Sequence, residues 1–427
     1  ENQQHMFMLM GGFELNGNTS RGISDENRGF VKDRGLQFID NLQNLDDYPE
    51  YKKWLNKNHR SLSHGISHQI SGYFVLSYSY RNHFTLNLNG RFDASNKFGS
   101  RSNERFLPVW SVSGSWNLQE NILKNVEFIS ELRLRGSFGI QGNMLEDQSP
   151  NLIIKQGALD PIYNENVSSI ARYPNPNLRW EETQQLDGGL EIGFFRSRLS
   201  MEFSVYSKKT SNCFTNVQVS SVNGVAGHTY VMNGGDLNNN GYSISLSATP
   251  VKTKDFQWKF STYYSGNFNK VQTKSVENYT LNDYLNGTAL IDGVAIGSFY
   301  SYKYLGLNPS NGTPLFDDYN DRKHLLEYKT LEETVLMTME KSGQREPIFS
   351  GNFSNNFTYK NFSLSMNMAY SIGSKVRLFP LYSPVVSGIS SETNVRKEFL
   401  SRWMAPGDEK YTDIPVIMSP SDPEYMK

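Results

Sequence analysis

Few residues in this chain have the types to do chemistry, and most of those are spaced against it. His64 and His68 stand four apart, which on a helix would suit a metal, but they open an extended segment with no third ligand nearby. Asp317, Asp318, Asn320 and Asp321 form an acidic loop without the glycine and distal glutamate of a calcium site, so a solvated turn is expected. Glu181 and Glu182 are neighbours along a strand; their side chains point to opposite faces and cannot share a substrate. The chain has no phosphate-binding glycine loop, nucleophile elbow or zinc helix. Its one cysteine, Cys213, excludes an internal disulfide and a cysteine-ligated metal. These residues support neither catalysis nor a cofactor. The sequence does offer charge at two-residue spacing, in Arg91 with Asp93, Glu131 with Arg133 and Arg135, and Asp187 beyond Gln185 with Glu191 further on.

That spacing requires strands. Leu186, Gly188, Leu190, Ile192 and Phe194 fall on one face of an extended segment, with Gln185, Asp187 and Glu191 on the other. After the tight Phe195–Arg198 connection, Leu199, Met201, Phe203 and Val205 alternate with Ser200, Glu202, Ser204 and Tyr206, which makes a hairpin. By itself the hairpin fits a soluble sandwich or barrel as well as a membrane barrel. Each strand is long enough to cross a bilayer, for which about 9–11 tilted residues are needed. The same two-faced pattern predicts strands at 5–15, 65–80, 83–94, 107–118, 127–141, 182–195, 198–210, 239–251, 255–270, 348–360 and 362–374. Ionisable residues on their polar faces would be costly in a dry core and are natural in a wet lumen.

The connections decide between the two architectures. They alternate long and short: 16–64, then 81–82, 95–106, 119–126, 142–181, 196–197, 211–238, 252–254, 271–347, 361, and 375 onward. Hairpin strands reverse at each turn, so all short turns fall on one rim and all long loops on the other. That is the arrangement of an outer-membrane barrel. Helical spacing suggests short helices within 36–58 and 322–341. Lys plus Arg (42) balance Asp plus Glu (43), which gives no field for nucleic acid. No run of eighteen apolar residues exists for a transmembrane helix, and a barrel shows none. The amino terminus carries no signal-peptide pattern.

Several blocks in order resemble the SusC/RagA family of TonB-dependent outer-membrane transporters. Asn175-Pro176-Asn177-Leu178 with Trp180-Glu181, then Gly189, Arg198-Leu199, Tyr206, Lys208 and Thr210, is similar to its NPNLKWE block. Arg91, Asp93, Ser95, Lys97 and Phe98 match R-x-D-x-S-x-K-F; Phe106, Pro108 and Trp116 follow, with Leu107 intervening. Arg135 to Gly139 with Gly142-Asn143 fits SYG-x-x-GN, and Asn233, Gly235, Leu237, Asn239 and Gly241 keep the N-x-G-x-V-x-N-x-G spacing. Arg402-Trp403, Pro406-Gly407-Asp408 and Asp413-Ile414-Pro415 resemble RW-x-x-PGDE…D-I-P.

The resemblance implies an all-β fold, an antiparallel transmembrane β-barrel. Residues 1–427 would form about half of a 22-stranded barrel with long extracellular loops, without the signal, plug domain, TonB box and terminal strand. It implies import across the outer membrane of a Gram-negative bacterium. A SusD-like lipoprotein would cap the barrel, TonB would act on the plug, and an oligosaccharide or peptide would be the cargo. In that setting lumen-facing Arg91, Asp93, Glu131, Arg133, Arg135, Asp187 and Glu191 either pair within the wall or contact plug or substrate. Tyr163, Tyr173 and Trp180 would offer stacking surfaces. A siderophore or cobalamin receptor, and a soluble or surface β-rich binding module, are the alternatives.

Overall fold

The computed structural model describes residues 4–24, 30–31, 37–38, 45–57, 61–81, 83–96, 107–143, 152–159, 162–173, 175, 177–218, 229–273, 279–317, 327, 329–378 and 396–417. Asp318, Asn320 and Asp321 of the acidic loop lie outside them. Eleven strands form one antiparallel sheet in which every strand neighbours the next in sequence. They are β1 His5–Ser24, β2 Ser61–Tyr80, β3 Phe84–Ser95, β4 Leu107–Asn117, β5 Ile129–Asn143 and β6 Glu181–Phe194. The remainder are β7 Leu199–Gln218, β8 Thr229–Lys252, β9 Phe256–Thr273, β10 Phe349–Tyr359 and β11 Phe362–Ile372. β1 and β11 end the sheet and do not pair with each other.

The register carries the hydrophobic pattern across all eleven strands. One continuous row joins Phe7, Tyr78, Leu86, Gly114, Gly136, Gly188, Val205, Tyr242, Gly266, Phe349 and Ile372. On β7 the residues of that parity are the exposed ones. On β7, Met201, Phe203 and Val205 are 38–43% exposed, while Glu202, Ser204 and Tyr206 between them are half-buried. A sheet that turns its apolar side chains outward and shelters its polar ones inverts a water-soluble core, and the arrangement is stable only if the outer medium is apolar.

The apolar band also reports strand tilt. Phe7 and Phe349 share the row described above, yet the β1 run continues from Phe7 to Leu15, toward the long-loop rim. The β10 run continues from Phe349 to Tyr359, toward the opposite rim. Gly11, midway along the β1 run, stands level with Gln184, six residues from Leu190 at the centre of the β6 run. Six residues at ~3.3 Å against five strand steps of ~4.8 Å give a tilt of roughly 40°, within the range that barrels of this kind adopt. At that tilt the Leu186–Phe194 run covers about 20 Å along the barrel axis, close to the ~25 Å apolar band of an outer-membrane barrel.

Short connections at 81–83, 118–128, 195–198, 253–255 and 360–361 all lie at one end of the sheet, as the alternation predicts. The long-loop end differs in detail. Residues 16–24, 61–64 and most of 211–238 were expected as loop and are strand. Residues 16–24 and 61–64 are mostly polar on both faces, and 211–218 and 229–238 mix Phe214, Val217, Val231, Met232 and Leu237 with polar residues on no strict two-residue period. Alternation vanishes there while the backbone ladder continues. Helices form at Pro49–Lys57 and Leu331–Thr338, inside the two predicted stretches.

Arginine at Leu190, near the band's midplane, should cost about 2–4 kcal/mol in reversible unfolding from lipid vesicles, whereas arginine at Ser204 on the concave face should cost less than half that. Equal costs would mean the faces are misassigned.

Candidate functional site

The concave face brings most of the predicted charges together, in two clusters. On β5, β6 and β7, Arg133 bonds Glu131 (3.2 Å) and Glu191 (3.4 Å). Arg135 bonds Glu191 (3.1 Å), donates to Ser204 Oγ (2.9 Å) and closes on Glu202. Asp187 stands beside this network, accepting from Gln185 Nε2 (2.8 Å) and Ser137 Oγ (3.3 Å). On β1 to β3, Arg91 bonds Asp93 (2.7 Å) and Glu14 (3.2 Å) and donates to Ser71 Oγ (2.8 Å). Every arginine of the predicted set is therefore paired within the wall. Carboxylates outnumber guanidinium groups in both clusters. Asp93 is buried, and the other charged side chains are part-exposed, so each of the part-exposed pairs contributes little to stability by itself.

Gly189 makes the larger cluster possible. It sits on the concave face of β6, directly between Arg135 on β5 and Ser204 on β7. Arg135 lies flat across it; a Cβ at Gly189 would overlap the Arg135 side chain. One guanidinium thus spans three strands. Beneath it, Asn87, Ser113, Ser115, Ser137, Gln185 and Asp187 line a cavity of about 460 Å³. The row through Gly189 is otherwise hydroxylic. Ser79, Thr85, Ser115, Ser204, Ser243, Ser265, Ser350 and Ser371 follow one another across the wall. Charge is concentrated on β5 to β7, and the concave faces of β8 to β11 are lined largely by short neutral side chains.

The aromatic residues are placed apart from this wall. Tyr163 lies in an exposed turn and Tyr173 is half-buried, both in the connection from β5 to β6. Trp180 is 5% exposed, so its ring is not offered for stacking. It belongs to a lock between two sequence blocks. Asn233 accepts from the Arg179 N–H (3.1 Å) and donates to the carbonyls of Arg179 (2.9 Å) and Asn212 (2.8 Å). Asn175 donates to the Val231 carbonyl (2.7 Å), and Glu181 accepts from the Phe214 N–H (2.8 Å). A bulge around Thr210–Phe214, with Asn212 at φ 60°, bends the β7–β8 hairpin over this segment.

The longest connection, between β9 and β10, folds on a core of Tyr284, Ala289, Ile291, Tyr300, Val335 and Met339. Thr280 with Asp283 and Thr330 with Glu333 form capping boxes at its two helices. The Thr280 hydroxyl and amide hold the Asp283 carboxyl below its ordinary range, and burial pushes the Tyr284 phenol up to about 12. The stretch after β11 docks on this loop. Arg377 donates to Leu285 O (2.9 Å) and Tyr300 O (3.0 Å), and Trp403 packs on Gly312 while its backbone amide donates to Ile414 O (2.9 Å). Among the described residues no group of His, Cys, Asp and Glu is arranged to hold a metal. His64 and His68 lie on β2.

Sequence reading missed Glu14, Glu202 and Gly189 as members of the clusters. Glu202 becomes visible once the 195–198 turn fixes Glu191 opposite Glu202; Glu14 carries no such local signal, because its partner Arg91 is two strands away.

Comparison with known proteins gives a coherent result. The model of the family described as "TonB dependent receptor-like, beta-barrel" matches residues 3–379. TonB-dependent receptor P3 of Formosa agariphila is 26% identical over 362 residues, covering 81% of this chain and 35% of that protein. TonB-dependent receptor SusC of Bacteroides thetaiotaomicron is 27% identical over 336 residues, covering 72% and 31%. The solved structure of the RagAB peptide transporter superposes with a TM-score of 0.78 at 22% identity, over 98% of this chain and 45% of that one. The chain spans about a third of the length of the curated relatives it matches.

Gly189→Val should displace Arg135 and abolish its coupling to Glu202. A double-mutant cycle on Arg135 and Glu202 should read about 0.5–1 kcal/mol in the parent and near zero in the variant. Asn233→Ala should cost about 1–3 kcal/mol and open the 211–235 hairpin to protease, since it leaves the Arg179 amide unpaired. Undiminished protease resistance would show that the lock is held by Leu178 and Trp180 packing instead.

Proposed function

This chain belongs to the TonB-dependent receptor-like β-barrel family, and we propose that it forms wall and loops of an outer-membrane importer energised through TonB. The family is one of receptors, not enzymes. The observation that carries the reading is the unbroken two-faced register over eleven strands, apolar outward and polar inward, with every long connection on one rim. Cargo on this reading is an oligosaccharide or a peptide, taken up with a SusD-like surface lipoprotein. SusC among the relatives and the RagAB likeness support that choice.

The wall's geometry suits the task. Arginines already paired within β5–β7 keep the lumen's charge fixed in place, and the acidic excess beside them can receive basic side chains of a plug without rebuilding the wall. Arg91, Asp93, Glu131, Arg133, Arg135, Asp187 and Glu191 are the proposed contacts. Tyr163 and Tyr173, on the long-loop side, are proposed to meet cargo; Trp180 is withdrawn from that role by its burial.

Surface labelling tests the orientation. In a Cys213→Ser background, a membrane-impermeant thiol reagent on intact cells should label Asn286→Cys and leave Ser197→Cys unlabelled; the reverse pattern would sink the topology. Uptake tests the cargo. Cells lacking the full-length protein should lose accumulation of labelled oligosaccharides or of labelled peptides, and loss of iron-siderophore uptake alone would replace the nutrient reading by the siderophore one.

A further inference from the structure

The two concave rows next to that of Gly189, on the long-loop side, carry a second group of polar side chains. The register sets Tyr206, Gly241 and Asn267 side by side in the first row and Lys208, Asn239 and Asn269 in the second. All six share the parity of Ser204, Ser243 and Ser265, so they lie on the concave face of β7 to β9. Gly241 shapes this patch as Gly189 shapes the arginine cluster. Tyr206 reaches across it, and a Cβ there would overlap the phenol. Lys208 Nζ stands over the Tyr206 ring, 5.3 Å from its centroid.

The acceptors of the patch are unevenly satisfied. Asn269 Oδ1 accepts the Ile296 N–H (2.8 Å), which ties the long connection to the wall. Asn239 Oδ1 and Asn267 Oδ1 are buried and accept no hydrogen bond among the described residues. A buried acceptor without a donor weakens the fold that carries it, so two on neighbouring strands of one face call for a donor from outside. The surroundings limit what that donor can be. Between the Asn239 row and Lys259, the concave residues of β8 to β11 are Gly, Ser, Asn, Ala and Tyr, none of them charged. Asp187, in the Tyr206 row on β6, already accepts from Gln185 and Ser137. Tyr263, two concave rows from Asn267 toward the short turns, is 43% exposed and offers its ring to the lumen.

A ligand suited to this patch brings several hydroxyl donors, an apolar face for an aromatic ring and no net charge. We propose that the patch is a subsite for an uncharged oligosaccharide and not for a peptide. Sugar hydroxyls donate to Asn239 Oδ1 and Asn267 Oδ1, to which Tyr206 and Lys208 give access by rotating aside, and the apolar face of a neighbouring sugar lies on Tyr263. The proposal rests on the importer reading above and chooses between its two cargo classes.

The test uses the full-length protein in lipid nanodiscs. Cellohexaose, mannohexaose, xylohexaose, maltohexaose and a pool of uncharged and zwitterionic hexapeptides are offered, and bound ligand is counted by equilibrium dialysis with mass spectrometry. Flotation with lipid is scored first. Failure to insert would overturn the importer reading and this proposal with it, whereas an inserted protein that binds none of the saccharides would overturn this proposal alone. The parent should bind at least one of them. Asn239→Leu/Asn267→Leu should weaken that binding roughly tenfold while the Tm stays level or rises, because the free wall loses two unsatisfied acceptors. Tyr263→Ala should weaken binding and Tyr263→Phe should restore it; Lys254→Gln, at the short-turn rim, should match the parent. Unchanged binding by the double asparagine variant would overturn the proposal. So would a fall in its Tm that accompanies the loss, since the asparagines would then hold the wall and not the ligand. Hexapeptides bound with the same dependence on Asn239 and Asn267 would overturn the choice of cargo class.

Discussion

The structure depends on one constraint: in hydrocarbon every backbone N–H and C=O must be paired, and only a continuous ladder of strands does that while leaving side chains free to face two media. Once the ladder is continuous, parity is inherited from strand to strand. The register places Phe7 of β1 on the same row as Ile372 of β11, and a slip of one residue anywhere would turn the remaining strands inside out. The glycines and bulges are where the ladder tolerates exceptions. Thr249-Pro250 falls at the register shift between Ala248 and Val251, so the proline's missing N–H interrupts no bond. The free sides of β1 and β11 obey the same rule. Within a bilayer each would need a strand beside it.

The concave face then follows from geometry and little else. Neighbouring strands stand about 4.8 Å apart, so an arginine reaches two strands away by lying flat along the wall, and a glycine on the strand between gives it the most room. Gly189 does that for Arg135. The result is a sector of wall whose charges are cross-linked over β5 to β7, beside a sector of serines that presents short, uncharged groups. One sector of the concave face thus carries fixed charge, and the other carries groups that exchange hydrogen bonds with water at little cost.

Strands were legible in the sequence wherever one face meets lipid and the other water, which is why a segment of each of the eleven was found and why the faces read for the 186–206 hairpin agree with the register. Legibility ended at the upper rim. Residues 211–218 and 229–238 follow no strict alternation, and they are strands because each pairs with the other and 235–238 pair with β9 as well. The charged site was half legible. Arg133, Arg135 and Glu191 announce themselves by parity, but that they touch depends on which residues stand opposite, and only a fixed turn or a folded sheet supplies that. Trp180 was misjudged for a related reason: an aromatic residue beside a loop reads as exposed until the hairpin that covers it is in place.

The blocks that most resemble the family have a common physical role, and it is not recognition. Asn175 to Glu181 is clamped by Asn233, from another block, through both sides of the Arg179 peptide. Trp403, from a third, is buried against Gly312 in the long connection and is held by Ile414. Asp408 of the same block accepts the N–H groups of Met404 and Ala405 (both 3.0 Å), closing its own turn. Each block fixes the place where a long, irregular connection meets the ladder, which is the point at which strand pairing stops dictating the path of the chain. Residues in these positions are constrained by the architecture. Residues between the locks, on loop surfaces and the concave wall, are free of that constraint, because substitution there leaves the ladder intact.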